Sequence, residues 1–262
     1  MDRLDRLADD SIYLIREAYR RFERVALLWS MGKDSTVLLE LSRRAFFGQI
    51  PFPVIHIDTG FKFQEIYDFR ERLANQWQLD LVVARNSDST SPDKDKFSCC
   101  HSRKTLALKK TVEERCLNGL LLGIRRDEHG IRAKERYFSP RDSSFAWDYC
   151  DQPLELWNQV SSTCDDDAHV RVHPLLNWSE QDVWAYVVRE EIPFCSLYLS
   201  QEGKRYRSIG CACCCTPVSS TASTAPDILQ ELESTAVAER EGRAQDKESA
   251  YIMQKLRALG YM

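Results

Sequence analysis

Long apolar runs are absent from this sequence, and so is a strong excess of charge of one sign. No apolar segment approaches the roughly 20 residues that a membrane-spanning helix needs. The first residues, MDRLDRLADD, are charged and lack the apolar core of a signal peptide. The formal net charge of −4 argues against a protein that coats nucleic acid, although it is compatible with a local basic groove. We therefore predict a cytoplasmic protein without a membrane segment.

The sequence also lacks the first glycine of a Walker A loop. The hexapeptide SMGKDS (residues 30–35) lies between an apolar run at 25–29 and a helical pattern at 35–47, and Leu27 stands where Walker A requires glycine. A strand, a short glycine-containing turn and a helix can still cradle phosphate, because backbone N–H groups at a helix N-terminus bind anionic oxygens. Lys33 adds a positive charge to this loop. The alternative is an ordinary strand-to-helix turn with a capping serine or aspartate.

Strand-like and helix-like segments alternate along the chain. The strand-like segments are residues 25–29, 54–57, 79–83, 117–124 and 170–175. This alternation predicts an α/β fold, with a parallel sheet of about five strands and helices on both faces. Ligands of such sheets bind beyond the carboxyl ends of the strands, where residues 30–35, Asp58 and the pair Arg125-Arg126 are expected to meet.

Five motifs, in the same order, resemble the small subunit of sulfate adenylyltransferase, within the PAPS reductase superfamily of adenine nucleotide α hydrolase-like folds. The motifs are SMGKDSTVLLEL, HIDTGFKFQEIYDFR, GIRRDEHGIRAKER, PLLNWSEQDVWAYV and RYRSIGC. The hexapeptide itself resembles the loop of PP-loop ATP pyrophosphatases, which cleave ATP between the α and β phosphates. The resemblance therefore implies ATP with Mg²⁺ as the nucleotide substrate.

The resemblance also implies roles for individual residues. Those implied to bind ATP are Trp29, Ser30, Met31, Gly32, Lys33, Asp34, Ser35, Asp58 and Gly123. Those implied to act in catalysis are Lys33, Asp34, Arg125 and Arg126. Guanidinium groups bind phosphate or sulfate oxygens bidentately, which supports the role of the two arginines. Asp127 and Glu128 are expected either to orient these arginines or to help position Mg²⁺, with a simple salt-bridge role as the alternative.

Ten cysteines in a cytoplasmic chain favour thiols or metal ligands over disulfides. The segment CCHSRK at 99–104 and the segment GCACCCTPV at 210–218 resemble the cysteine motifs of assimilatory APS reductases, which hold a [4Fe–4S] cluster. The resemblance implies a [4Fe–4S] cluster held by Cys99, Cys100, Cys211 and Cys214. Cys213 and Cys215 depart from the pattern, so the choice of ligands stays open, and zinc is the rival metal. Plain thiols without a ligand role are the remaining alternative.

Joining an ATP-using loop to a cluster resembles sulfur-inserting enzymes. Our first hypothesis is an ATP pyrophosphatase that adenylates an acceptor for sulfur incorporation, most naturally in DNA phosphorothioation. Its partners would be a cysteine desulfurase, other sulfur-modification subunits and DNA as acceptor. The alternative is the small subunit of sulfate adenylyltransferase, acting with a GTPase large subunit. A third reading is a nucleotide-binding scaffold or redox sensor without turnover.

An APS reductase is a poor fit, because Lys33 favours ATP and no cysteine follows residue 215. We predict a PP-loop domain over residues 1–218 and a helical C-terminal extension over residues 219–262. A homo-oligomer is compatible with the sequence.

Overall fold

The computed structural model describes residues 2–86, 96–130, 132–156, 159–160, 169–235 and 239–240. The α-helices among them are α1 (Arg3–Arg21), α2 (Lys33–Ala45), α3 (Gln64–Gln76), α4 (Lys96–Cys100), α5 (Leu106–Glu114), α6 (Glu180–Arg189) and α7 (Ala225–Ser234). A π-helical turn, His101–Thr105, joins α4 to α5. The strands are β1 (Val25–Leu28), β2 (Val54–Ile57), β3 (Leu81–Ala84), β4 (Gly119–Leu122), β5 (Phe138–Arg141), β6 (Glu155–Leu156), β7 (Gln159–Val160), β8 (His169–Val172), β9 (Lys204–Arg205) and β10 (Val218–Ser219).

The central sheet has six strands in the order β3-β2-β1-β4-β8-β5. The first five of these are mutually parallel, which confirms the predicted α/β fold with a parallel sheet. The hexapeptide at residues 30–35 directly follows β1, which lies inside the sheet with β2 on one side and β4 on the other. This places the loop at the carboxyl edge of the sheet, where ligands of open α/β sheets bind.

Alternate residues of the buried strands pack into two separate cores. Val25 and Leu27 of β1 face a core that is built with the helices α1, α2, α3 and α6, whereas Ala26 and Leu28 face a core that includes α5. Successive strand side chains point to opposite faces, so a strand that is apolar throughout needs helices on both sides. The prediction of helices on both faces is therefore confirmed.

Strand β5 was not predicted, and it pairs antiparallel with β8 at the edge of the sheet. Its sequence, Phe138-Ser139-Pro140-Arg141, shows neither an apolar run nor apolar alternation. Pro140 cannot donate a ladder hydrogen bond, which suits an edge strand. The predicted set of about five strands thus corresponds to the parallel part of a larger, mixed sheet.

The C-terminal segment begins with an ordered helix. Thr224 caps α7 through a capping box with Asp227, and α7 packs on α6. The second helix predicted for the C-terminal extension lies outside the described residues, and the domain division after residue 218 stays a prediction. None of the helices in the described part of the chain is long and apolar enough to span a membrane.

Candidate active site

The loop after β1 is held by short-range hydrogen bonds. The Ser35 hydroxyl accepts from the backbone N–H of Ser30 at 3.2 Å and donates to the carbonyl of Gly32 at 3.1 Å. Met31 lies in the left-handed region, with φ of 64°, and its side chain is buried in the core beneath the loop. Gly32 occupies the N-cap of α2 and supplies no side-chain oxygen to the helix N-terminus. The turn thus leaves a helix N-terminus at the sheet edge, which is the geometry of an anion site.

A cavity of about 140 Å³ opens in front of this loop. Its apolar part includes strand residues and one residue just after β4, namely Leu28, Ile55, Ile57, Leu122 and Ile124. Its polar part carries more cations than carboxylates among the described lining residues, namely Lys33, Lys62, Lys104, Arg132 and Arg240 against Asp34 and Glu128. The cavity therefore offers an apolar slot at one end and a positive field at the other, and such a field draws anions.

Most residues predicted to bind ATP line this cavity. They are Trp29, Ser30, Gly32, Lys33, Asp34, Ser35 and Gly123. Met31, Asp58, Arg125 and Arg126 are not among the described lining residues. Of these, Arg125 still bonds to Asp34, a residue of the cavity wall.

Gly123 brings β4 against the loop. A Cβ built at this position would lie 2.9 Å from the backbone nitrogen of Ser35 and 3.0 Å from the carbonyl carbon of Asp34. Only glycine lets the end of β4 approach the first turn of α2 so closely. This geometry gives Gly123 a role in backbone packing at the predicted nucleotide site.

The two predicted arginines point to different partners. The buried Arg125 bonds to Asp34, and its Nε donates to Asp127 at 2.9 Å. Arg126 instead bonds to Asn177 and lies 3.5 Å from Glu155. The contact of these two arginines with the phosphates or the acceptor anion, which the resemblance implies, stays a prediction.

A carboxylate from the C-terminal segment pairs with two cations of the predicted site. Glu239 forms ion pairs with both Lys33 and Arg125, and its side chain is only 6% exposed. Burial disfavours the ammonium form of Lys33, but the charge of Glu239 outweighs it and raises the pKa of Lys33 above its ordinary value. The adjacent Arg240 donates to Glu128 at 3.2 Å. Ion pairs and a hydrogen bond therefore hold residues 239–240 at the predicted site.

Asp127 and Glu128 both form ion pairs in this structure, and their predicted role in orienting Arg125 and Arg126 or in positioning Mg²⁺ stays a prediction. Asp127 bonds to Arg125, and Glu128 pairs with Arg132 and Arg240. Burial opposes charge on Glu128, yet the two arginines prevail and hold the pKa of this carboxyl far below its usual range.

Asp58 organises the loop after β2. Its carboxylate accepts from the backbone N–H of Gly60 at 2.8 Å and from the Tyr67 hydroxyl at 2.9 Å, and it pairs with Arg85. Burial alone would raise the pKa of Asp58, but Arg85 and the other two donors lower it below its ordinary value. The adenosine contact implied for Asp58 remains a prediction.

The predicted cysteine ligands are all buried. The sulfur of Cys211 lies 3.1 Å from the Thr59 hydroxyl, and the sulfurs of Cys213 and Cys214 are 3.6 Å apart. A hydrogen bond from Cys214 holds the pKa of Cys211 well below its usual range. Within the described ranges, no three histidine, cysteine or carboxylate side chains are grouped so that they could hold a metal. The [4Fe–4S] and zinc predictions are thus not confirmed.

Several residues of the site could not be found from local sequence patterns. The Tyr198 hydroxyl accepts from the backbone N–H of Lys33 at 2.9 Å, across 165 residues of sequence. Burial raises the pKa of Tyr198 to about 12, so its hydroxyl stays protonated. The sequence pattern pointed to Lys104 only as a neighbour of the cysteines. No sequence pattern pointed to Glu239.

The comparison with known proteins places the chain in a family. The domain described as "Phosphoadenosine phosphosulfate reductase domain" matches residues 24–217. The chain belongs to this family. Within it, the chain is 36% identical over 297 aligned positions to "Sulfate adenylyltransferase subunit 2" of Ectopseudomonas mendocina, covering 98% of this chain and 97% of that protein. It is 38% identical over 293 positions to the protein of the same name from Shewanella loihica, with the same two coverages.

Solved structures of the family fold agree with the architecture. The phosphoadenylyl-sulfate reductase of Candida auris, solved as a phosphate complex, aligns with a TM-score of 0.57 at 18% identity and covers 83% of this chain and 98% of its own. FMN adenylyltransferase of Candida glabrata aligns with a TM-score of 0.61 at 16% identity and covers 99% of this chain and 84% of its own. The predicted adenine nucleotide α hydrolase-like fold is confirmed, and the full-length relatives confirm that the chain is an adenylyltransferase-type enzyme.

Proposed function

We propose that this chain transfers the adenylyl group of ATP to sulfate and releases pyrophosphate, as one subunit of a sulfate adenylyltransferase. The observation that carries the proposal is the buried Lys33 at the N-terminus of α2, in a cavity that is apolar at one end and cationic at the other. Relatives named "Sulfate adenylyltransferase subunit 2" match almost the whole chain. This proposal replaces sulfur incorporation, our first hypothesis from the sequence, as the main reading.

The apolar end of the cavity suits an adenine ring. Leu28, Ile57 and Leu122 are the last residues of the three adjacent strands β1, β2 and β4, and they present aliphatic side chains to the cavity. A flat aromatic base gains from contact with such a surface, because its faces are poorly hydrated. This orientation directs the triphosphate toward Lys33.

The cationic end suits the leaving pyrophosphate. An acceptor oxygen attacks the α phosphorus and forms a new P–O bond, while the bond to the α–β bridging oxygen breaks and its electron pair passes to pyrophosphate. Negative charge then grows on the leaving group. The Lys33 ammonium and the N-terminus of α2 stabilise that charge, because both are positive and already in place.

Further cations can hold an anionic acceptor. Arg132 and Lys104 line the same cavity as the loop, and a planar guanidinium can bind two oxygens of a tetrahedral anion. Mg²⁺ would enter as part of the MgATP substrate. The carboxylates Asp34 and Glu128 already accept from basic side chains.

The proposal predicts that Lys33 is essential for turnover. Replacing Lys33 by Ala should lower pyrophosphate release from MgATP and sulfate by at least about 100-fold, the typical cost of one preorganised charge-stabilising group. The chain should be assayed together with the GTPase large subunit. Lys109→Ala is the matched control, because this half-buried lysine bonds to the carbonyl of Ser144 and does not line the cavity. Unchanged release in Lys33→Ala would refute the role of this lysine.

A second candidate function is adenylation of an acceptor for sulfur incorporation. The observation in its favour is that Cys211 directly follows the cavity-lining residues 208–210 and contacts Thr59 in the loop after β2. A cysteine desulfurase would supply a persulfide at Cys211, and its outer sulfur would attack the adenylated acceptor and displace AMP. A second thiol would then attack the Cys211 sulfur, form a disulfide with it and release the sulfur-bearing acceptor. Under this reading the partners are a cysteine desulfurase and its associated subunits, with DNA as acceptor.

One assay separates the two candidates. The protein should be purified without oxygen, its iron and zinc measured, and pyrophosphate release compared with sulfate and with DNA plus a desulfurase. Release with sulfate from an iron-free protein supports sulfate adenylyl transfer. Release that depends on DNA and desulfurase, and that is lost in Cys211→Ser but not in Cys116→Ser, supports sulfur incorporation. Cys116 is an exposed thiol outside the cavity.

A further inference from the structure

Glu239 holds the position that a phosphate would need. Its two carboxylate oxygens pair with Lys33, which the resemblance implies for the ATP phosphates, and with Arg125, which it implies for the phosphates or the acceptor anion. Lys33 is 1% exposed and Arg125 is fully buried. A carboxylate and a phosphate both present oxygens to such groups, and an ion pair this deeply buried persists only when its geometry satisfies both partners.

The cavity that remains is too small for a whole nucleotide. It measures about 140 Å³, whereas sites for ligands of this size enclose roughly 300–1,000 Å³. Arg240 forms part of its wall and is anchored to Glu128 at 3.2 Å. Arg240 therefore takes up space at the site, and Glu239 offsets part of the positive charge of Lys33 and Arg125.

We propose that Glu239 is an internal phosphate mimic, which occupies the triphosphate subsite in the nucleotide-free protein and is displaced when ATP binds. The inference rests on the proposed use of ATP at this site. A triphosphate carries more negative charge than one carboxylate, so it can take over Lys33 and Arg125 once it enters. The exchange keeps both cations paired in each state and avoids leaving a buried charge without a partner.

If Glu239 competes with ATP, the apparent Kd for ATP equals the intrinsic Kd divided by the fraction of protein in which Glu239 is displaced. Glu239→Gln removes the charge and keeps the side-chain size, so we expect α,β-methylene-ATP to bind at least about 10-fold tighter than to the wild-type chain. Glu233→Gln is the matched control, because Glu233 is an exposed residue of α7. Isothermal titration of the full chain measures both Kd values without any turnover.

Two further measurements guard against a variant that folds poorly. Glu239→Asp keeps the charge but is one methylene shorter, so it should bind the analogue with an affinity between those of the wild type and Glu239→Gln. In the wild-type chain, hydrogen exchange of peptides that contain residues 239–240 should become faster when the analogue is added.

Each result has a definite meaning. Equal or weaker binding by Glu239→Gln, or slower exchange at residues 239–240 with the analogue, overturns the inference and makes Glu239 a group that positions the cations for ATP. In that case the proposed function stands, because the wild type still binds the analogue. If neither the wild type nor any variant binds it, the proposed use of ATP fails and the inference fails with it.

Discussion

At the scale of single residues, Gly123 is a position where one methyl group should be decisive. A Cβ there would meet backbone atoms of Asp34 and Ser35 at 2.9–3.0 Å, and these atoms cannot move without moving the loop. We expect Gly123→Ala to lower the free energy of unfolding by about 1–3 kcal/mol, as overpacking does, and to weaken ATP binding. Urea unfolding and nucleotide titration measure the two effects.

Gly130→Ala is the matched control for that substitution. Its added Cβ would find no heavy atom within 4 Å, so stability and affinity should stay close to the wild-type values. Equal behaviour of the two alanine variants would show that the approach of β4 to the loop is not as tight as the structure has it.

The residue scale also shows where sequence reasoning succeeds and where it stops. The loop residues 30–35 could be placed because their partners lie within a few positions along the chain. Arg125 and Arg126 are adjacent in sequence, but their partners are 91 and 51 residues away, and these partners separate them. The pairing of Lys33 with Glu239 spans 206 residues, so no local sequence pattern could predict it.

At the scale of elements, Asp127 couples the site to helix α6. One carboxylate oxygen accepts from Arg125 at 2.9 Å, and the other accepts from the backbone N–H of Glu180, the first residue of α6, at 2.8 Å. The carboxylate therefore satisfies a helix N-terminus and orients a buried guanidinium at the same time. An orienting role toward Arg125 was among the expectations from the sequence, but the link to α6 depends on the tertiary fold.

Removing this carboxylate should affect both stability and function. Asp127→Ala should lower the free energy of unfolding by about 1–2 kcal/mol, the usual cost of a lost helix cap, and should raise the KM for ATP because Arg125 loses a partner. Asp9→Ala, an exposed position on α1, is the control. If the KM stays unchanged while stability falls, Asp127 serves the helix alone.

Elements were predictable where burial decided them. The parallel strands and the helices α2 and α3 have apolar patterns that match their period, so the sequence could locate them. Strand β5 escaped because an edge strand with Pro140 needs no apolar face of its own. Within the π-helical turn at 101–105, Arg103 donates to the carbonyl of Thr59 at 3.0 Å, which is again a tertiary contact.

At the scale of the whole molecule, two buried histidines make the fold sensitive to mild acid. Burial lowers the pKa of His56 to about 3 and that of His169 to about 2, from an ordinary value of 6.5. Both are therefore neutral in the folded chain, while the unfolded chain binds protons below pH 6.5. Below pH 6.5 the free energy of unfolding decreases as the pH is lowered, because the unfolded state takes up more protons than the folded state.

The expected loss between pH 7 and pH 5 is about 2 kcal/mol for each histidine. Denaturant unfolding at the two pH values measures it, and His56→Gln should reduce the difference by about half. Most carboxyl groups titrate below this range, so they contribute little to the comparison. An identical loss in the variant would mean that His56 is already charged, or accessible to protons, in the folded state.

The central claim is that the loop at residues 30–35 directs cleavage of ATP between its α and β phosphates. The most direct test is to identify the products when the chain, with its large subunit, consumes MgATP in the presence of sulfate. The account predicts pyrophosphate and an adenylyl-sulfate product in equal amounts, and neither in Lys33→Ala. Formation of ADP and inorganic phosphate instead would contradict it.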